Sequence, residues 1–68
     1  MKPYELRLAD LYCRNARYIK NLDTFCEDDD RFSRLHPDDR SLIREQLTVM
    51  QRLNVILEKR MRRLNIPI

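Results

Sequence analysis

The chain has no glycine and no tryptophan, three prolines, two cysteines and one histidine among its 68 residues. Without glycine, turns that depend on its freedom at positive φ and glycine-rich phosphate loops are both excluded. The prolines stand only at positions 3, 37 and 67, which leaves two long unbroken stretches suited to helices. Cys13 and Cys26 would lie on one helix, about 20 Å apart at the helical rise, so they cannot bridge. They read as reduced, mostly buried thiols of an intracellular protein. One histidine and no clustered ligands exclude a metal centre, and no cofactor is implied. The start, Met1-Lys2-Pro3, has no apolar signal region, and no apolar run reaches membrane-span length; the expected location is the cytoplasm. A chain this short needs disulfides, a metal or oligomerisation to stabilise a thin core. Oligomerisation is left.

What is present is helical periodicity. The expected fold is all-α: an antiparallel two-helix hairpin forming a single domain over residues 1–68, assembling into a homo-oligomeric bundle. The first helix spans about 3–26, the link about 27–36 and the second helix about 37–64. Pro3 suits a first helical turn, and Tyr4, Leu8, Leu11, Asn15, Ile19, Leu22 and Phe25 recur at spacings of three and four. The acid run Glu27-Asp28-Asp29-Asp30 is unfavourable at a helix C-terminus and marks the end. His36 caps the second helix, Pro37 opens it, and Asp38 and Asp39 complement its dipole. Its seam is Ile43, Leu47, Met50, Asn54, Leu57, Met61 and Leu64.

Folded antiparallel, the seams register in layers: Phe25 with Ile43, Leu22 with Leu47, Ile19 with Met50, Asn15 with Asn54, Leu11 with Leu57, Leu8 with Met61, Tyr4 with Leu64. The single polar position of each seam falls in the same layer. There the two amides either satisfy each other and fix register, or both face solvent. A second apolar stripe, Leu6, Ala9, Cys13 and Ala16 on the first helix and Leu42, Val49, Leu53 and Ile56 on the second, exceeds what one hairpin partner covers and calls for another protomer. Phe32 and Leu35 are expected to fold back as a plug over the tip.

Charge is segregated. The tip carries Glu27, Asp28, Asp29, Asp30, Asp38 and Asp39, with Arg31, Arg34 and Arg40 as partial offsets. The open end carries Lys2, Arg7, Lys59, Arg60, Arg62 and Arg63. Solvated helix ends obeying the dipole rule explain most of these; an anion-binding end is the sharper reading. No nucleophile–base pair can be placed, so the chain is expected not to be an enzyme. The acid cluster lacks the alternating ligands and turn glycine of a calcium loop and reads as solvated. Nucleic acid is an unlikely partner, because the basic run is short and interrupted by acids. A small phosphorylated ligand between protomers is equally compatible with the cations. Tyr4, Tyr12 and Tyr18 serve either as stacking faces for a base or as amphipathic interface residues.

Tyr4 and Arg7, then Ile19, Leu22 and Phe25, then Phe32 and Leu35, Gln46, Leu47 and Met50, and finally Ile56, Leu57 and Arg60 form an ungapped pattern across residues 4–61. In this pattern the chain resembles the phage family that contains the anti-CBASS cyclic-oligonucleotide sponges. The resemblance implies compact homohexamers of helical hairpins that bind cyclic dinucleotides between protomers, and in some cases cyclic trinucleotides in separate three-fold pockets. No bond is made or broken; binding removes the messenger that activates a bacterial antiphage effector, and the place of action is the cytoplasm of an infected or lysogenic host. Carried over, the ligand-binding residues are Tyr4, Arg7, Lys20, Asn21 and Arg60. Tyr4 and Lys20 contact the dinucleotide, Arg60 serves the trinucleotide pocket, and Asn21 neighbours it. Tyr18 stands where the family commonly has Lys, and Lys20 is two positions on, about 200° round the helix. Asn15 replaces a usual Leu, and Leu53 a usual Tyr. A module that blocks a host protein by helix docking and a weak nucleic-acid-binding accessory protein remain as alternatives.

Overall fold

A computed structural model describes residues 1–68. It contains helix α1 (Pro3–Asp28), a single turn α2 (Asp30–Ser33) and helix α3 (Pro37–Arg63), with no strand. The start of α1 has Pro3 in its first turn, and the Glu5 carboxylate reaches back to accept the Lys2 backbone N–H at 3.3 Å. At α3, His36 is the cap: its Nδ1 accepts the Asp38 N–H at 3.1 Å, satisfying one of the donors a helix start leaves free.

The acid run stops α1 later than expected, and the link is not irregular throughout. The break comes at Asp29, whose backbone is extended (φ −97°, ψ 121°). Its carboxylate accepts the Arg31 N–H at 2.9 Å and is gripped by the Arg31 guanidinium at 2.7 Å, so the third acid of the run caps the next turn. The Arg31 contacts hold the Asp29 carboxyl down at about 2. That turn carries Phe32 back under the tip, where it is buried and meets Phe25 edge-on at 5.6 Å. The Arg44 guanidinium lies over the Phe32 ring at 5.0 Å from its centroid.

The far end of α3 closes without glycine. Asn65 takes the left-handed conformation (φ 56°), which its short polar side chain tolerates better than most. The Asn65 N–H then bonds the Arg62 carbonyl, and the Ile66 N–H bonds the Met61 carbonyl at 2.9 Å. This is a Schellman closure. It folds Ile66 inward to join Leu8, Leu57 and Met61 in the main core cluster.

α1 and α3 run antiparallel. On α3 and at its cap Leu64, the seven expected seam positions are all buried or half-buried. Asn15 is buried, and its Nδ2 donates to Asn54 Oδ1 at 2.8 Å and to the Met50 carbonyl at 2.9 Å. The amides therefore meet, and the alternative with both in solvent is ruled out.

Several expectations are corrected. Leu11 is exposed rather than in the seam, and Tyr4, though it keeps its place beside Leu64, is exposed as well. Tyr12 takes the neighbouring place against the cluster, because its hydroxyl finds the Glu58 carboxylate at 2.9 Å. At the tip it is Cys26 that is buried, while Phe25 is half-buried and Cys13 is exposed. The second apolar stripe does not lie on one face. One groove between the helices is lined by Tyr18, Leu22 and Phe25 of α1 with Gln46 and Met50 of α3, whereas the Tyr12–Glu58 bond lies on the opposite side. With helical rotation at about 100° per residue, Leu42, Val49, Leu53 and Ile56 share the groove side with Tyr4, Leu11 and Tyr18: the front. Ala9, Cys13 and Ala16 lie at the back.

The chain by itself is elongated, 45 × 15 × 15 Å. It exposes 5491 Å², against about 4,600 Å² for a folded monomer of its mass. On the front face Leu42, Val49 and Ile56 are each more than half exposed (62%, 58% and 54%).

Candidate anion-binding site

The hairpin register brings the first turn of α1 against the last turn of α3. There Tyr4, Arg60, Arg63 and Leu64 line an open recess of about 270 Å³. Arg60 and Arg63 are three residues apart, so helical geometry puts them side by side. The Schellman closure pins Leu64 beneath them as the residue that caps α3. The Tyr4 ring is exposed at 43% and forms the opposite wall.

The cations around this recess form no ion pair within the chain. The ion pairs of the molecule are Arg14–Asp10, Arg31–Asp29 and the weaker His36–Asp38 contact; none involves Lys2, Arg7, Lys59, Arg60, Arg62 or Arg63. The acid nearest in sequence on α3, Glu58, lies on the back face and accepts the Tyr12 hydroxyl. That hydrogen bond, with partial burial, raises the Tyr12 pKa above its ordinary value. Arg60, Arg62 and Arg63 complement the α3 dipole, but that interaction leaves their N–H donors facing water. Two guanidiniums beside an aromatic face form a surface that meets phosphate oxygens with paired donors and offers a base a flat partner.

The structure brings together Tyr4 and Arg60, the residues expected to serve different ligands. Arg7, one turn further along α1, is exposed and on the same side but does not line the recess. Lys20 does not join them. It lies about 24 Å along α1 from Tyr4 and about 160° round the helix, on the back face, so one chain cannot present both to one ligand. Asn21 lines two other grooves toward the tip: the apolar one with Tyr18 and Phe25, about 360 Å³, and an acidic one with Asp28, Asp29 and Asp30. Arg63 and Leu64 are the residues that sequence reasoning missed as lining. The signal for Arg63 was its spacing from Arg60; for Leu64 it was the seam layer shared with Tyr4. No group of His, Cys, Asp or Glu side chains is placed to hold a metal ion, and no helix is long and apolar enough to cross a membrane.

Residues 2–63 match the model of a protein family described as Sequestin. No curated protein and no solved structure matches the chain.

Proposed function

Since the chain belongs to the Sequestin family, we propose that it acts by capturing and withholding a small anionic ligand, without chemical conversion, and that the ligand is a cyclic di- or trinucleotide messenger of bacterial antiphage signalling. The family name speaks for sequestration. The observation that carries the ligand class is the recess in which Arg60 and Arg63, unpaired in the chain, stand beside the Tyr4 ring. A cyclic oligonucleotide presents phosphates and flat bases together, which is what guanidiniums and a tyrosine face recognise. Self-association belongs to this reading. The front face leaves apolar side chains uncovered, and repeated copies of one open recess would enclose a symmetric ligand. Lys20 and Asn21 then contribute from a neighbouring copy. The setting is that of a phage-encoded protein in the bacterial cytoplasm.

A thermal-shift screen tests the reading. A ligand that binds only the folded state raises the midpoint. At a hundredfold excess over its dissociation constant, the shift for a domain this small is roughly 10 °C or more. The ligand released on heating should be chemically unchanged. Absence of any shift with every cyclic di- and trinucleotide at about a hundred micromolar would remove the proposal and leave the capture of a host protein in its place.

A further inference from the structure

The front face of α3 carries a second periodic seam. Asp39, Leu42, Gln46, Val49, Leu53, Ile56, Arg60 and Arg63 follow one another at alternating spacings of three and four. That is the heptad pattern by which one helix packs along another, and nothing in the chain packs on it: these residues are all exposed. The seam is charged at its ends and apolar between. Asp39 opens it, and Arg60 and Arg63 close it; neither Asp39 nor Arg60 has an ion-pair partner in the chain.

We infer that this seam is a self-complementary interface, on which α3 of a second copy lies antiparallel about a two-fold axis at Val49. In that register Val49 meets Val49, Gln46 meets Leu53, and Leu42 meets Ile56. Asp39 then falls opposite Arg60 of the second copy, once at each end. The charges weigh against two competitors. A parallel pairing sets Asp39 beside Asp39 and Arg60 beside Arg60. An antiparallel pairing centred on Leu53 covers Leu42 with Arg63 and leaves Asp39 without a cation. A two-fold interface is isologous, so one patch serves both copies.

The inference deepens the self-association included in the proposed function and rests on it. It also places the second copy at the rim of the candidate recess, because Arg60 belongs to both. A guanidinium has five donors; Asp39 of the second copy takes one edge of the Arg60 fork and leaves the rest toward the recess, while Arg63 remains fully available.

Cysteine cross-linking of the full chain tests the register, in a Cys13→Ser background that removes the exposed native thiol. Val49→Cys should give a disulfide-linked pair under mild oxidation. Leu42→Cys alone should not link, whereas a mixture of Leu42→Cys and Ile56→Cys chains should. In parallel, Arg60→Glu should weaken self-association at least tenfold, and adding Asp39→Arg should restore it. Circular dichroism confirms that each variant is folded. Self-linking of Leu42→Cys, or a folded Val49→Cys protein that associates without linking, would overturn the seam while leaving self-association standing. A folded wild-type monomer in light scattering at micromolar concentration would overturn both.

Discussion

The two ends of the hairpin use similar charges for different purposes. At the tip, Asp29 caps a turn and grips Arg31, Arg44 lies over the Phe32 ring, and Arg40 donates to the Ser33 carbonyl at 3.2 Å. There these charged side chains build the fold. At the open end, Lys2, Arg7, Lys59, Arg60, Arg62 and Arg63 form no ion pair, and the closure of α3 is made by backbone and by Ile66 instead. At the tip the charges that hold structure have their partners in the chain; in the proposed function the unpaired cations of the open end receive a ligand or a second copy.

The comparison breaks most visibly in stability at the tip. Phe32→Ala removes a buried ring packed on Phe25 and should cost about 3–5 kcal/mol, a large fraction of the stability of so small a chain. Chemical denaturation checks it. Arg63→Ala at the open end should leave stability within about 0.5 kcal/mol of wild type. Equal losses at both ends would erase the distinction.

The asparagine layer between the ends comes next. Asn15→Leu leaves Asn54 facing an apolar neighbour and should cost about 1–3 kcal/mol, with much of it recovered by Asn54→Leu on the same chain. A double-mutant cycle that is simply additive would show that the two amides do not act together.

The smallest effect is an acid dependence confined to the tip. The Asp29 carboxyl is held at about 2 in the folded chain, below its ordinary 3.8. A depressed folded value means that its contribution is present above about 3.8 and is lost as pH falls toward 2. Thermal melts of wild type and Asp29→Asn should therefore differ at neutral pH and converge as pH drops through that window. A constant difference throughout would show that the Asp29–Arg31 contact is not what the titration senses.

Much of this architecture was legible because the helical pattern is regular. The α3 seam, the His36 cap and the pairing of Asn15 with Asn54 all follow from spacing and the constraint of a hairpin. The α1 seam misled at Leu11 and Tyr12, two adjacent residues that can each point inward. The choice was made by a hydrogen bond to Glu58 across the hairpin, which no spacing rule contains. The second stripe was split between two faces because periodicity within a helix does not state on which side its partner lies; the hand of the hairpin decides that. At the candidate site, Tyr4 and Arg60 come together through register alone, and Arg63 was visible at i+3 from Arg60. Lys20 came from resemblance and lies two-thirds of a helix away, where only another chain could bring it to Tyr4.

The decisive measurement is isothermal titration calorimetry of cyclic di- and trinucleotides into wild type, Tyr4→Ala and Arg63→Ala. Capture in the recess should give heat with at least one of these ligands, and affinity reduced about tenfold or more by each substitution, the scale of one lost charge-assisted hydrogen bond or stacking contact, with the helical signal unchanged. Binding of equal strength in all three proteins, or no heat from any ligand, would contradict the assignment of the Tyr4–Arg60–Arg63 recess as the capture site.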